Sequence, residues 1–195
     1  KIYTNVNLFS KHTPLKKANL SFTFSNSGIP HFMKKNYSVL LLAFLLFLGG
    51  NAFGQTADAT WALTSNATSS VTGNVTASSQ AVGSSNGAVT FGSSNGSSCN
   101  TWNAASLSST AYYEYSISPT TGNDLTVTSI SFYYSVSGGS MNAAVYYSLN
   151  NFTSSTQLGS NITGFSNTSS TVQFTNTPSI SVLSGQTLKI RVYGW

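Results

Sequence analysis

The chain is short of the residues that chemistry uses. Its 195 residues include one cysteine, two histidines and three carboxylates, and only 6% of them are charged. Both histidines, His12 and His31, precede residue 55. The part from Gln55 onward therefore has no histidine for a catalytic triad, a general base or a transition-metal site. A lone cysteine, Cys99, allows no internal disulfide and reads as a small buried residue. The carboxylates Asp58, Glu114 and Asp124 are scattered, which argues against the flanking pair of a glycosidase. Asp58 and Asp124 read as turn and strand-end hydrogen-bonding groups, and Glu114 as a solvent-facing residue of a sheet. With backbone carbonyls, Asp58 and Asp124 are weak calcium candidates. No loop clusters acids as a calcium site requires, so no cofactor is expected.

Positive charge is abundant only at the front. The formal net charge of +5 comes from six lysines before residue 55. Beyond it, Lys189 and Arg191 stand against three carboxylates, a net of −1. The domain has no basic patch of the kind nucleic acid requires.

That front end has its own pattern. Met33-Lys-Lys-Asn-Tyr is a short positive start, followed by an apolar run over 39–48. The run is shorter than the about 20 residues that span a bilayer. Ala52 and Gly54 are small residues at the positions a signal peptidase reads. Together they predict a helical signal peptide over 33–54, cleaved before Gln55, and a protein that is secreted or held at the cell surface with no remaining membrane span. Residues 1–32 then read as an upstream extension, not native to the protein and without a fold of its own.

The remaining 55–195 segment has the length of one domain. Helix signals are nearly absent, and Ser, Thr, Asn and Gly fill its polar positions. Strand patterns separated by turn residues recur. They are expected at 59–63, 71–77 with a bend at Gly73, 88–91, 111–117, 124–136, 142–149, 171–175, 179–182 and 187–193. Within 124–136 the apolar parity changes, which predicts a bulge near Thr128-Ser129. The fold class is all-β: an antiparallel β-sandwich of jelly-roll type, with aromatic residues filling the layer between its sheets. Asn-x-Ser/Thr triplets at Asn66, Asn74, Asn95, Asn151, Asn161 and Asn167 are those expected by chance in this composition.

Binding is the function class that the composition leaves open. Aromatic rings with amides and hydroxyls suit the flat apolar faces and hydroxyls of sugars. On the outward parity of their strands stand Tyr112, Tyr133, Tyr146, Lys189, Arg191 and Tyr193. Placed on one sheet, they would form an aromatic face with two cations, suited to an acidic polysaccharide such as pectin. The alternative is a sheet on which tyrosine serves strand propensity and the cations guard an exposed strand.

Three stretches carry a family resemblance: "YYEYSISPTTGNDLTVTSISFYYS" at 112–135, "MNAAVYYSLNNFTSSTQLGS" at 141–160 and "SGQTLKIRVYGW" at 184–195. They resemble a β-sandwich accessory module of secreted Bacteroidetes proteins, often attached to pectate lyases and other polysaccharide-degrading enzymes and exported by the type IX system. The resemblance implies a non-catalytic module that binds or presents polysaccharide within a larger carbohydrate-active protein. It supplies no set of ligand residues. It also implies one more strand after Trp195, so the sequence reads as C-terminally truncated, its final strand lacking a neighbour. The alternative function is a structural spacer or adhesin-like surface domain without a ligand.

Overall fold

Alternation of apolar and polar residues dominates the chain and dictates strands that bury one face. The computed structural model describes residues 6–11, 55–92, 96–99, 102, 105–136, 139–166 and 172–195; for 6–11, 165 and 166 it describes the backbone alone. The predicted signal peptide at 33–54 lies outside these residues.

Fourteen strands are present among them, all paired antiparallel. The first sheet runs β12 (Val172–Asn176), β9 (Leu125–Tyr134), β1 (Val6–Lys11), β2 (Thr56–Trp61) and β3 (Ser70–Thr72), with β13 (Ile180–Val182) also on β9. The second runs β11 (Thr156–Ser166), β10 (Ser140–Ser148), β14 (Leu188–Gly194), β8 (Tyr112–Pro119) and β4 (Val75–Ala77), with β5 (Ala81–Val82) also on β8. A hairpin of β6 (Val89–Gly92) and β7 (Gly96–Cys99) stands apart. The expected all-β sandwich is what forms.

Inward residues of both sheets make one core. The first sheet contributes Ala57, Ala59, Trp61, Leu125, Val127, Ile130 and Phe132. The second contributes Tyr113, Tyr115, Ile117, Val145, Leu188, Ile190 and Val192. Trp61 and Tyr115 meet across the layer edge to face, ring centroids 5.2 Å apart. Each finds a polar partner there: the Trp61 indole donates to the Ser78 carbonyl at 2.7 Å, and Gln80 donates to the Tyr115 hydroxyl at 2.7 Å. Such partners remove the penalty of burying a donor or acceptor. Tyr113 is fully buried, with Trp102 edge-on at 5.3 Å. Burial pushes its phenol far above the ordinary tyrosine value; the neighbouring Cys99 and Tyr115 add to the rise and Ser97 opposes it.

Two backbone predictions hold. The parity change in β9 is a bulge: Phe9 pairs with Ser129 and Ser10 with Val127, so Thr128 is passed over. The bend at Gly73 is a corner at which the chain leaves the first sheet as β3 and enters the second as β4. Gly73 has φ +74°, and a Cβ there would lie 2.7 Å from the Thr56 carbonyl oxygen.

Three expectations are corrected. The extension 1–32 was expected to contribute nothing, yet Val6–Lys11 is an interior strand held by β2 and β9. The last strand was expected to lack a neighbour, yet β14 pairs with β10 on one edge and β8 on the other. Strands β5, β7 and β11 have no counterpart in the sequence reading; in β11 two glycines and polar residues hide the alternation, and it lies at a sheet edge.

Candidate functional site

The outward face of the second sheet assembles from strands remote in sequence. Register places Glu114 opposite Arg191, and Arg191 opposite Tyr146. The row continues to Ala81 on β5 and Gln157 on β11. One step along, Tyr112 pairs with Tyr193; one step the other way, Ser116 pairs with Lys189 and Lys189 with Ser148. Five of the six predicted site residues thus share one face: Tyr112, Tyr146, Lys189, Arg191 and Tyr193. Tyr133 is not among them. It lies on β9 in the other sheet, 43% exposed and opposite Gln173. Parity told which side of its strand it occupies but not which sheet that strand joins.

Glu114 organises the centre. Its Oε2 accepts from Arg191 Nε at 2.7 Å and its Oε1 lies 2.9 Å from Lys189 Nζ. The expectation of a solvent-facing glutamate is corrected, since Glu114 is buried. Two cations close on one carboxylate on the same face, and bridging by Glu114 relieves their mutual repulsion.

Arg191 is also held by rings. Its guanidinium carbon lies 3.9 Å from the centroid of Tyr112 and 3.9 Å from that of Phe152. Two rings cannot share one face of a guanidinium at that distance, so Arg191 is stacked between them, a favourable cation–π geometry on both sides. Burial works against its charge. Hydrogen bonds to Tyr193 and Glu114, with the Glu114 charge, outweigh burial and hold Arg191 above its ordinary value. Tyr193 packs edge to face against Tyr112 at 5.6 Å and Tyr146 at 5.7 Å.

Phe152 comes from the loop after β10, and the sequence reading missed it. Asn151 and Phe152 have φ of +56° and +62°, the left-handed region that side chains rarely adopt. Hydrogen bonds hold this turn: Ser148 Oγ accepts from the amides of Asn150 and Phe152 at 3.1 and 2.9 Å, and Asn150 Oδ1 accepts from the amide of Ser154 at 3.0 Å. The Asn-rich stretch 150–151 was the available signal, because asparagine tolerates this conformation. Beside the rings, the Tyr146 hydroxyl donates to Gln157 at 3.1 Å, and Gln157 donates to Asn161 at 2.7 Å.

The calcium candidates stand apart from this face. Asp124 Oδ1 accepts from the Ser184 amide at 2.8 Å, and Asp58 Oδ2 from the Thr60 hydroxyl at 2.9 Å. No group of three or more His, Cys, Asp or Glu able to hold a metal occurs among the described residues. The face itself offers rings, two cations paired to one carboxylate, and amides: it is equipped to stack and hydrogen-bond. No protein-family profile, curated protein or solved structure matches this chain.

Proposed function

We propose that the domain is a secreted, non-catalytic accessory module that binds polysaccharide through the outward face of β10, β14 and β8, as part of a larger carbohydrate-active protein. The observation that carries this reading is the arrangement of Tyr112, Phe152 and Tyr146 around Arg191, beside the Gln157–Asn161 amides. Ring faces and edges stack on sugar CH surfaces, and amides take up hydroxyls. Glu114 engages both cations and leaves the cluster one net positive charge, too little to favour a polyanion. A neutral or weakly acidic glycan suits it better than pectin.

Affinity gels with neutral glycans and with pectin test the reading on the purified chain. Retardation by a neutral glycan, reduced at least tenfold in Phe152→Ala with an unchanged circular dichroism spectrum, is expected. No retardation in any gel would sink it.

A second reading has its own support. Tyr193 and Glu114 are buried within the cluster, so the same residues serve as a cross-brace on an otherwise polar sheet. A spacer or adhesin-like domain without a ligand needs no more than that.

A further inference from the structure

The first sheet is built around a strand from a distant part of the chain. β1 pairs with β2 on one edge and with β9 on the other, antiparallel to both, with six register pairs on each side. β2 and β9 consequently run parallel to one another with one strand's width between them. They share no ladder of their own among the described residues. With β1 gone, the gap would be roughly 9–10 Å, twice the spacing of neighbouring strands, too wide for the two edges to pair. Two rows of backbone donors and acceptors would be left open.

Residues 33–54, read above as a leader removed before Gln55, lie between β1 and β2. The inference rests on that cut and sets aside the reading of residues 1–32 as non-native, since Val6–Lys11 is an interior strand. A cut there separates β1 covalently from the sheet that it completes.

We propose that the gap between β2 and β9 is a strand-acceptor site, that β1 fills it in the uncut chain, and that a cut before Gln55 makes β1 exchangeable for an extended polypeptide segment supplied in trans. The flanking strands state the chemistry of that segment. Its first position lies between buried Trp61 and Phe132, its third between Ala59 and Ile130, and its fifth between Ala57 and Val127. These are core-facing positions on both flanks, so the first and third call for apolar residues; β1 places Val6 and Leu8 there. The even positions register with Thr60 and Ser131, Asp58 and Ser129, and Thr56 and Thr126, which are polar. The occupant is therefore a six-residue segment, apolar at its first and third positions, running antiparallel to both flanks. Its main chain supplies affinity and its alternate side chains supply selectivity.

A second observation bears on the fourth position. Asp58 Oδ1 is buried and has no hydrogen-bond partner. The residue of β1 in register with Asp58 is Phe9, whose side chain has no donor. Directly opposed residues of an antiparallel pair lie within side-chain reach, so a segment with a hydroxyl at this position fits the site better than β1 does.

The test uses the full chain with a specific protease site inserted between Gly54 and Gln55, so its outcome does not depend on natural leader cleavage or on glycan binding. The probe is a fluorescent peptide of residues 1–13, followed by anisotropy, with hydrogen exchange read at 56–61 and 125–134. After cutting, the probe is expected to enter and unlabelled peptide to displace it. A Leu8→Pro peptide should bind at least tenfold more weakly, because proline removes a ladder donor. A Phe9→Thr peptide should bind about threefold more tightly. Protection at 56–61 should fall when the segment leaves and return when peptide is added. Protection that persists after the segment leaves, or a probe that never binds the cut chain, overturns the proposal. Equal binding by uncut chain also overturns it, since β1 would not then hold the site. A Phe9→Thr peptide that binds no better overturns the donor preference at Asp58.

Discussion

Glu114 and Arg191 are register partners on adjacent strands, and their side chains close to 2.7 Å beneath a lid of aromatic rings. Seventy-seven residues separate them in sequence. The contact is a consequence of the sheet order and in turn fixes it: a slip of β14 by one residue would turn Arg191 to the core and Leu188 to solvent.

Glu114→Gln preserves shape and removes the charge that Lys189 and Arg191 share. It should lower unfolding free energy by about 2–4 kcal/mol, because breaking a buried pair strands the remaining charges. Lys189→Ala should cost under about 1 kcal/mol, since Lys189 is a quarter exposed and water screens it. Urea denaturation of both variants measures the difference; equal losses would show that Glu114 does not bridge.

Phe152→Ala uncovers one face of the Arg191 guanidinium while leaving the Glu114 contacts in place. A stability loss of about 1 kcal/mol is expected from the cation–π contact. Thermal unfolding and the Arg191 side-chain signals in NMR check it. An unmoved Arg191 signal would refute the stacking.

Tyr113 sets an alkaline limit. Its folded phenol is held far above the ordinary value, chiefly by burial. Above a pH of about 10, unfolded chains release this proton and folded ones keep it, so stability is intact below that pH and falls as pH rises further. Absorbance at 295 nm should show at least one tyrosine ionising only with unfolding. Tyr113→Phe should flatten the alkaline loss.

Gly73→Ala tests the corner between the sheets. The left-handed φ and the close Thr56 carbonyl both oppose a Cβ, and about 3 kcal/mol of destabilisation is expected. Gly122→Ala, where φ is +81° but no atom lies near, should cost only the backbone strain, about 1 kcal/mol. Paired melting curves separate steric closeness from conformation.

What was legible in the sequence was local. Period-two alternation placed Tyr112, Tyr146, Lys189, Arg191 and Tyr193 on outward faces, and the parity change located the bulge at Thr128. Gly73 announced its bend because no other residue tolerates that turn so well. The order of strands was not legible, because it is decided by which surfaces bury together across long separations. Tyr133 was misplaced for that reason. Glu114 was misread because its neighbours across the sheet, unseen in its own segment, are both cations. Phe152 lies in a turn stabilised by Ser148 and Asn150, where no periodic pattern operates. β1 was passed over because nothing near Val6–Lys11 tells that its pairing partners begin at Thr56 and Thr126.

The interior place of β14 governs when the domain can form. The second sheet has β10 on one side and β8 on the other of a strand that arrives only at Leu188–Gly194. During synthesis the two flanking strands emerge first and have nothing to join them, so the sheet cannot close until β14 leaves the ribosome. Contacts of such long sequence separation form slowly. The order of manufacture therefore keeps this sheet open until Leu188–Gly194 has been made.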